Sequence, residues 1–264
     1  MTTPANTPRP TRLPGGMTTD PPYGPMADIG ATNPFFYHRD FDDFNFLSTS
    51  EWTVTSASTG GVAHVAGDGG LITFTTAATL ADIEVLQRPH AAFTLPQGTL
   101  LGKKASFICR LQLSDITASG FWAGLINAAT TLAGIADGLY FTKAYGGTVL
   151  NLVSIIGGVA TTLAIPVAAY TFVNATNIDL GFDITRTGNV RAFVGSQLVG
   201  WIPQSGTGAL NTGNYPALPV VGPVARMIAP TLTAANLSPT LIVEAGAAAV
   251  KTMTADFIGA FKER

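Results

Sequence analysis

The chain has 264 residues, of which only 11% are charged, against about a quarter in an average soluble domain. Fourteen Lys and Arg face sixteen Asp and Glu for a net charge of −2, so the basic excess of a nucleic-acid binder is missing. Hydrophobic content is an ordinary 47%, which excludes a disordered chain, and 29 Gly, 37 Ala and 35 Thr stand where charge is usually found.

The first 34 residues hold eight of the 17 prolines and show no hydrophobic periodicity. Such a stretch cannot build a core and favours extended polyproline conformation. Residues 1–39 are read as an extended arm that reaches on the order of 100 Å at about 3.1 Å per residue. Its candidate partner-binding residues are Pro4, Pro8, Pro10, Pro14, Pro21, Pro22, Tyr23 and Pro25. No basic region followed by an apolar run opens the chain, so assembly in a cytoplasm is expected.

An aromatic and acidic lead-in, Phe35 to Phe46, begins the folded part, taken as one domain over 40–264. Short β-type runs follow, separated by doubled glycines such as Gly60-Gly61 and Gly69-Gly70, which take positive φ without strain. Trp52–Thr55, Val62–Val65 and Leu71–Thr75 are the first of them. In Ser106–Leu113, Phe107, Cys109, Leu111 and Leu113 alternate with Ile108, Arg110 and Gln112, the period of a half-buried strand. Runs at 120–127, 138–143, 148–156, 159–165 and 170–173 come next. Ile178, Leu180, Phe182 and Ile184 alternate with Asp179, Gly181 and Asp183, and Gly188-Asn189 turns the chain into Val190–Val194. Met253, Ala255, Phe257 and Phe261 are expected to share one side of a last strand. The Ala-rich residues 129–136 and 245–250 are each expected to hold a turn of helix. About thirteen to fifteen strands with Gly turns and no repeat predict an antiparallel all-β sandwich of jelly-roll type.

One region stands apart. From Ile116 to Ile178, 63 residues carry only Asp137 and Lys143 as charges. Its most apolar part, Val149 to Val173, is broken by Gly157, Gly158 and Pro166, so strands are expected rather than a membrane span. Charge depletion marks interface cores, so this surface is expected to meet protein.

Reactive constellations are sparse. The only cysteine, Cys109, falls on the apolar side of its strand and reads as a small core residue. Asp40, Asp42, Asp43 and Asn45 offer hard oxygen ligands but lack EF-hand spacing, so no metal is expected there. Asp82 and Glu84, two apart, are expected on one exposed strand face, paired with Arg88. His38, His64 and His90 are scattered, without the spacing of a zinc site. No nucleophile elbow or phosphate-binding loop is present. No catalytic residue, cofactor or enzymatic activity is expected. Of Trp52, Trp122 and Trp201, the last two are candidate glycan-binding residues, with Trp201 expected to be exposed.

The order of these runs resembles the concanavalin A-like, or laminin G-like, jelly roll over residues 40–264. The resemblance rests on Phe41–Phe46 with Trp52, on Phe107–Leu113 followed by Phe121-Trp122, on Ile178–Val194 followed by Gln197–Trp201, and on the closing Ala255-Asp256-Phe257-Ile258. Glycosidases of that fold carry a third acidic residue after a pair like Asp82 and Glu84, and here Leu86 and Gln87 stand there. A sandwich of this kind behind an extended arm resembles the head decoration or cement proteins of tailed bacteriophages. The resemblance implies a structural virion protein on the capsid surface. It would bind the major capsid protein through its arm and self-associate as a homo-oligomer, a trimer for example, without nucleic acid or membrane. The alternative is a glycan-binding adhesin or receptor-binding module of a virion.

Overall fold

The computed structural model describes residues 34–40, 51–65, 70–95, 104–167, 170, 172–185, 188–195, 197–202, 225–226 and 232–263. The strands among them are β1 (Pro34–Asp40), β2 (Thr53–Ser56), β3 (Gly61–Val65), β4 (Leu71–Thr75), β5 (Ile83–Gln87), β6 (Phe93–Thr94), β7 (Ala105–Leu113), β8 (Ser119–Ile126) and β9 (Gly138–Lys143). They continue with β10 (Asn151–Ile156), β11 (Val159–Ala164), β12 (Ile178–Ile184), β13 (Val190–Val194), β14 (Gln197–Ile202), β15 (Ala225–Arg226), β16 (Asn236–Ala245) and β17 (Thr252–Glu263). Sheet A runs β15-β14-β13-β12-β7-β17-β4-β3, with β1 also on β17. Sheet B runs β11-β10-β9-β8-β16-β5-β2, with β6 also on β16. Every pairing is antiparallel except β14 with β15.

The two sheets face each other as a sandwich, and the expected all-β architecture holds. Period-two alternation sends Phe107, Cys109 and Leu111 of β7 and Leu180 and Phe182 of β12 inward from sheet A. Phe121, Ala123 and Leu125 of β8, Phe141 of β9 and Leu241 and Val243 of β16 meet them from sheet B. Phe182 stacks on Phe107 at 5.4 Å and touches Phe141 across the sandwich at 6.1 Å. Cys109 is fully buried in this core, and burial pushes its thiol pKa well up, so it is inert. Trp52 is buried there as well.

Several expectations change. β16 was not anticipated, because its residues are buried on both faces and Pro239 sits in its interior. The proline is tolerated because β5 pairs with 240–244 and β6 with 236–237, leaving position 239 in the gap where no donor is required. Tyr170, Phe172 and Val173 belong to no strand, contrary to the strand expected there. The Tyr170 hydroxyl accepts from Leu150 N at 2.6 Å and donates to the Thr148 carbonyl at 2.9 Å, while its ring meets Phe172 edge-on. In β17 a bulge between Ala255 and Phe257 inserts Asp256 and inverts the alternation. Met253 and Ala255 therefore face the core, and Phe257 faces outward.

Of the two Ala-rich segments, only the first holds a helical turn, a 3-10 turn at Leu132–Gly134 whose N-cap Thr131 accepts from Gly134 N. The apolar stretch after Val149 is the β10–β11 hairpin, closed by Gly157 and Gly158 at φ +55° and +84°. The first strand, β1, spans the expected junction at residue 39.

Candidate functional site

The outward faces of the two sheets differ in chemistry. On sheet A, Arg110 of β7 donates to both carboxylate oxygens of Asp179 at 2.6 and 3.1 Å and to Asp256 at 3.2 Å. Its guanidinium also lies 5.5 Å from the Phe257 ring. Arg191 of β13 pairs with both oxygens of Asp183 and covers Phe193 at 5.6 Å. The bulge that turns Asp256 outward completes this network.

On sheet B the outward face is apolar, with few polar groups. Ile83, Val85, Ile126, Tyr140, Val153, Ile155 and Ile242 form a second cluster, with Trp122 half buried against it. Residues 127–137 fold over part of this face. Gln87 holds them down: its Nε2 donates to Asn127 O at 3.0 Å and to Thr240 Oγ1 at 2.7 Å, and its Oε1 accepts from Ala129 N at 3.2 Å. Asn127 Oδ1 accepts from both Ala136 N and Asp137 N at 3.0 Å.

Beside that cover, small residues make room for large ones. A Cβ on Gly124 would come within 2.5 Å of Tyr140, so the tyrosine occupies the space a side chain there would take. Gly120 lets the Glu244 carboxylate lie close, since a Cβ there would be 3.2 Å from Oε2. Tyr145, 40% exposed, packs directly over Gly246. Register places Trp122 opposite Ile242 and Gly120 opposite Glu244, so Trp122 and Glu244 are diagonal neighbours on one face.

Glu244 is 9% exposed, and burial raises its carboxyl pKa above the ordinary value. Among the described residues nothing donates a hydrogen bond or pairs with it, in contrast to the aspartates of sheet A. Tyr140 Oη and Trp122 Nε1 likewise engage no protein partner there. The Trp122 indole and the Glu244 carboxylate are therefore neighbours with their polar atoms uncommitted, while Tyr140 stands farther along β8, opposite Gly124. A mostly apolar surface with a few directing groups is the chemistry that small-molecule sites use.

Several sequence candidates lie elsewhere. Trp201 is in β14, but its side chain is outside the described residues. The arm residues Pro4, Pro8, Pro10, Pro14, Pro21, Pro22, Tyr23 and Pro25 are also outside them, as are Asp42, Asp43 and Asn45. Asp40 and His38 belong to β1, and only their backbone is described. His64 and His90 are exposed. No group of three or more His, Cys, Asp or Glu that could hold a metal ion occurs among the described residues.

Asp82 and Glu84 do share one side, but it is the inner one, contrary to the exposed face expected. Asp82 accepts from Ala77 N at 2.5 Å and Ser58 Oγ at 2.6 Å. Glu84 accepts from Ser56 Oγ and is fully buried, which raises its pKa. Glu84 Oε1 is buried without a hydrogen-bond partner among the described residues, packed against Gly60. Glu244 and Tyr140 were not singled out from sequence. A lone acid near the end of an apolar run was the available signal.

No protein-family model matches the sequence, and no curated protein sequence is significantly similar to it. Solved structures do share the fold. A protein of unknown function, SO2946 from Shewanella oneidensis MR-1, superposes with a TM-score of 0.53 at 13% identity, covering 87% of this chain and 86% of that one. The carbohydrate recognition domain of Emp47p gives 0.52 at 9% identity, covering 86% and 96%. The metal-free carbohydrate recognition domain of Emp46p gives 0.53 at 7% identity, covering 84% and 94%. At these identities the likeness is one of fold.

Proposed function

We propose that the chain is a glycan-binding module, acting by recognition rather than catalysis, with its site on the outer face of sheet B. The observation that carries this reading is the Glu244 carboxylate, sheltered and without a donor among the described residues, diagonal to the half-buried Trp122 ring. Sugar hydroxyls supply the donors that Glu244 lacks, and the apolar face of a sugar ring suits the indole. Two of the similar folds are named as carbohydrate recognition domains, which supports the same class of ligand.

The test is a glycan array with the full chain and with Trp122→Ala. The expected result is retention of a discrete glycan set by the native chain and its loss in the variant. An array on which the native chain retains nothing overturns the reading.

The capsid decoration reading draws on the arm and on the charge-poor stretch 116–178, which holds only Asp137 and Lys143 as charges. Among the described residues, five of the nine exposed large hydrophobic residues lie there: Tyr145, Val149, Val159, Val167 and Val173. Deleting residues 1–34 separates the two roles. Glycan retention is expected to survive the deletion, whereas attachment to a capsid through the arm would not.

A further inference from the structure

Sheet edges normally carry charge, proline, bulges or a covering segment that discourages pairing with another chain. The edge strand β11, Val-Ala-Thr-Thr-Leu-Ala, carries no charge and no proline, and its register with β10 runs without a bulge. The two-residue glycine turn makes Ile156 and Val159 the closing hydrogen-bonded pair, so Val159, Thr161 and Leu163 bond back to β10. The bond from Ile165 N to Leu150 O at 2.9 Å continues that parity. The N–H and C=O groups of Ala160, Thr162 and Ala164 therefore point away from the sheet. All three residues are exposed, and no hydrogen bond reaches them among the described residues.

The other edges offer less. β2 turns only Val54 and Ser56 outward, since Ala57 N bonds to Ile83 O and Thr53 and Thr55 share that parity. β3 carries His64, and β15 has two residues.

We propose that β11 pairs antiparallel with β11 of a second copy of this chain, about a two-fold axis through Thr162. The three outward residues are evenly spaced around that axis. Thr162 meets its own copy, and Ala160 meets Ala164 of the second copy, forming up to about six backbone hydrogen bonds. A charge at the axis would face itself. Threonine does not repel its copy, and cross-strand Thr–Thr pairs are favourable. Val159, 72% exposed, and Val167, 57% exposed, lie at the two ends of the paired segment and become covered. A two-fold perpendicular to the sheet keeps faces matched, so sheet B continues across the interface with both outer faces on one side. Taken with the proposed function, two Trp122–Glu244 sites would then address one glycan-bearing surface, a bivalent arrangement that strengthens weak single contacts. The pairing itself does not depend on that function.

Sedimentation of the full chain across a concentration series tests the pairing. A reversible dimer is expected, and Thr162→Lys is expected to raise its dissociation constant at least tenfold while leaving the melting temperature in place at dilutions where both chains are monomeric. Val54→Lys on the opposite edge is expected to change neither. In a second arm, Thr162→Cys is oxidised. Hydrogen-bonded cross-strand Cα atoms lie about 5.5 Å apart, within disulfide range, so a covalent dimer should form. The native Cys109 is buried and does not compete. A chain that stays monomeric at every concentration overturns the proposal, as does a dimer unaffected by Thr162→Lys that gives no disulfide through Thr162→Cys.

Discussion

The outer faces of sheets A and B are made of the same kind of strand and used differently. On sheet A, Asp179, Asp183 and Asp256 each receive an arginine, and the arginines lie over Phe193 and Phe257. Charge there is spent within the fold. On sheet B, Glu244 has comparable shelter and no described donor, and the Trp122 indole beside it is uncommitted. A buried polar group that the fold satisfies stabilises structure, whereas one left unsatisfied costs stability until a ligand supplies the partner. The contrast separates a structural face from a binding face.

Substituting one residue on each face tests that separation. Arg110→Ala leaves Asp179 and Asp256 without their shared cation and is expected to lower unfolding free energy by about 2–3 kcal/mol. Glu244→Gln removes an unanswered charge and is expected to leave stability unchanged or slightly raised. Denaturant unfolding of both variants reads the difference. Equal losses would make Glu244 a structural residue as well. Gln87→Ala is the intermediate case. It releases residues 127–137 from sheet B by removing the two hydrogen bonds that reach them, along with the one to Thr240, with an expected cost of about 1–2 kcal/mol and faster amide exchange at Ala129.

The inward alternation of β7 and β12 was readable because one face of each is apolar and the other is not. β16 was hidden for the opposite reason: with both faces buried it shows no period, and Pro239 argued against a strand. The side of Phe257 was misassigned because a bulge leaves no mark in the residue pattern. The ion pairs of sheet A join positions 69 and 146 apart in sequence, so only topology reveals which aspartates Arg110 reaches. Trp122 was identified as a candidate ligand residue from its type alone. Its partner Glu244 was not, since a single acid acquires meaning only once its shelter and its missing donor are seen.

Titration gives a smaller effect with a definite sign. Burial raises the Glu244 pKa above that of the unfolded chain, so the folded state binds more protons between the two values. Its contribution to stability is full below the unfolded pKa and is lost as pH rises through the folded one. The native chain should therefore gain stability relative to Glu244→Gln as pH falls from neutral toward about 4.5. Thermal melts of the pair across that range check it, and parallel profiles would contradict it.

The most direct measurement is calorimetric titration of an array-selected glycan into the native chain and into Glu244→Gln at neutral pH. The account predicts binding to the native chain and at least a tenfold weaker dissociation constant in the variant, with the variant melting no lower than the native chain. Equal affinities in the two proteins would contradict it and return the outer face of sheet B to a purely structural role.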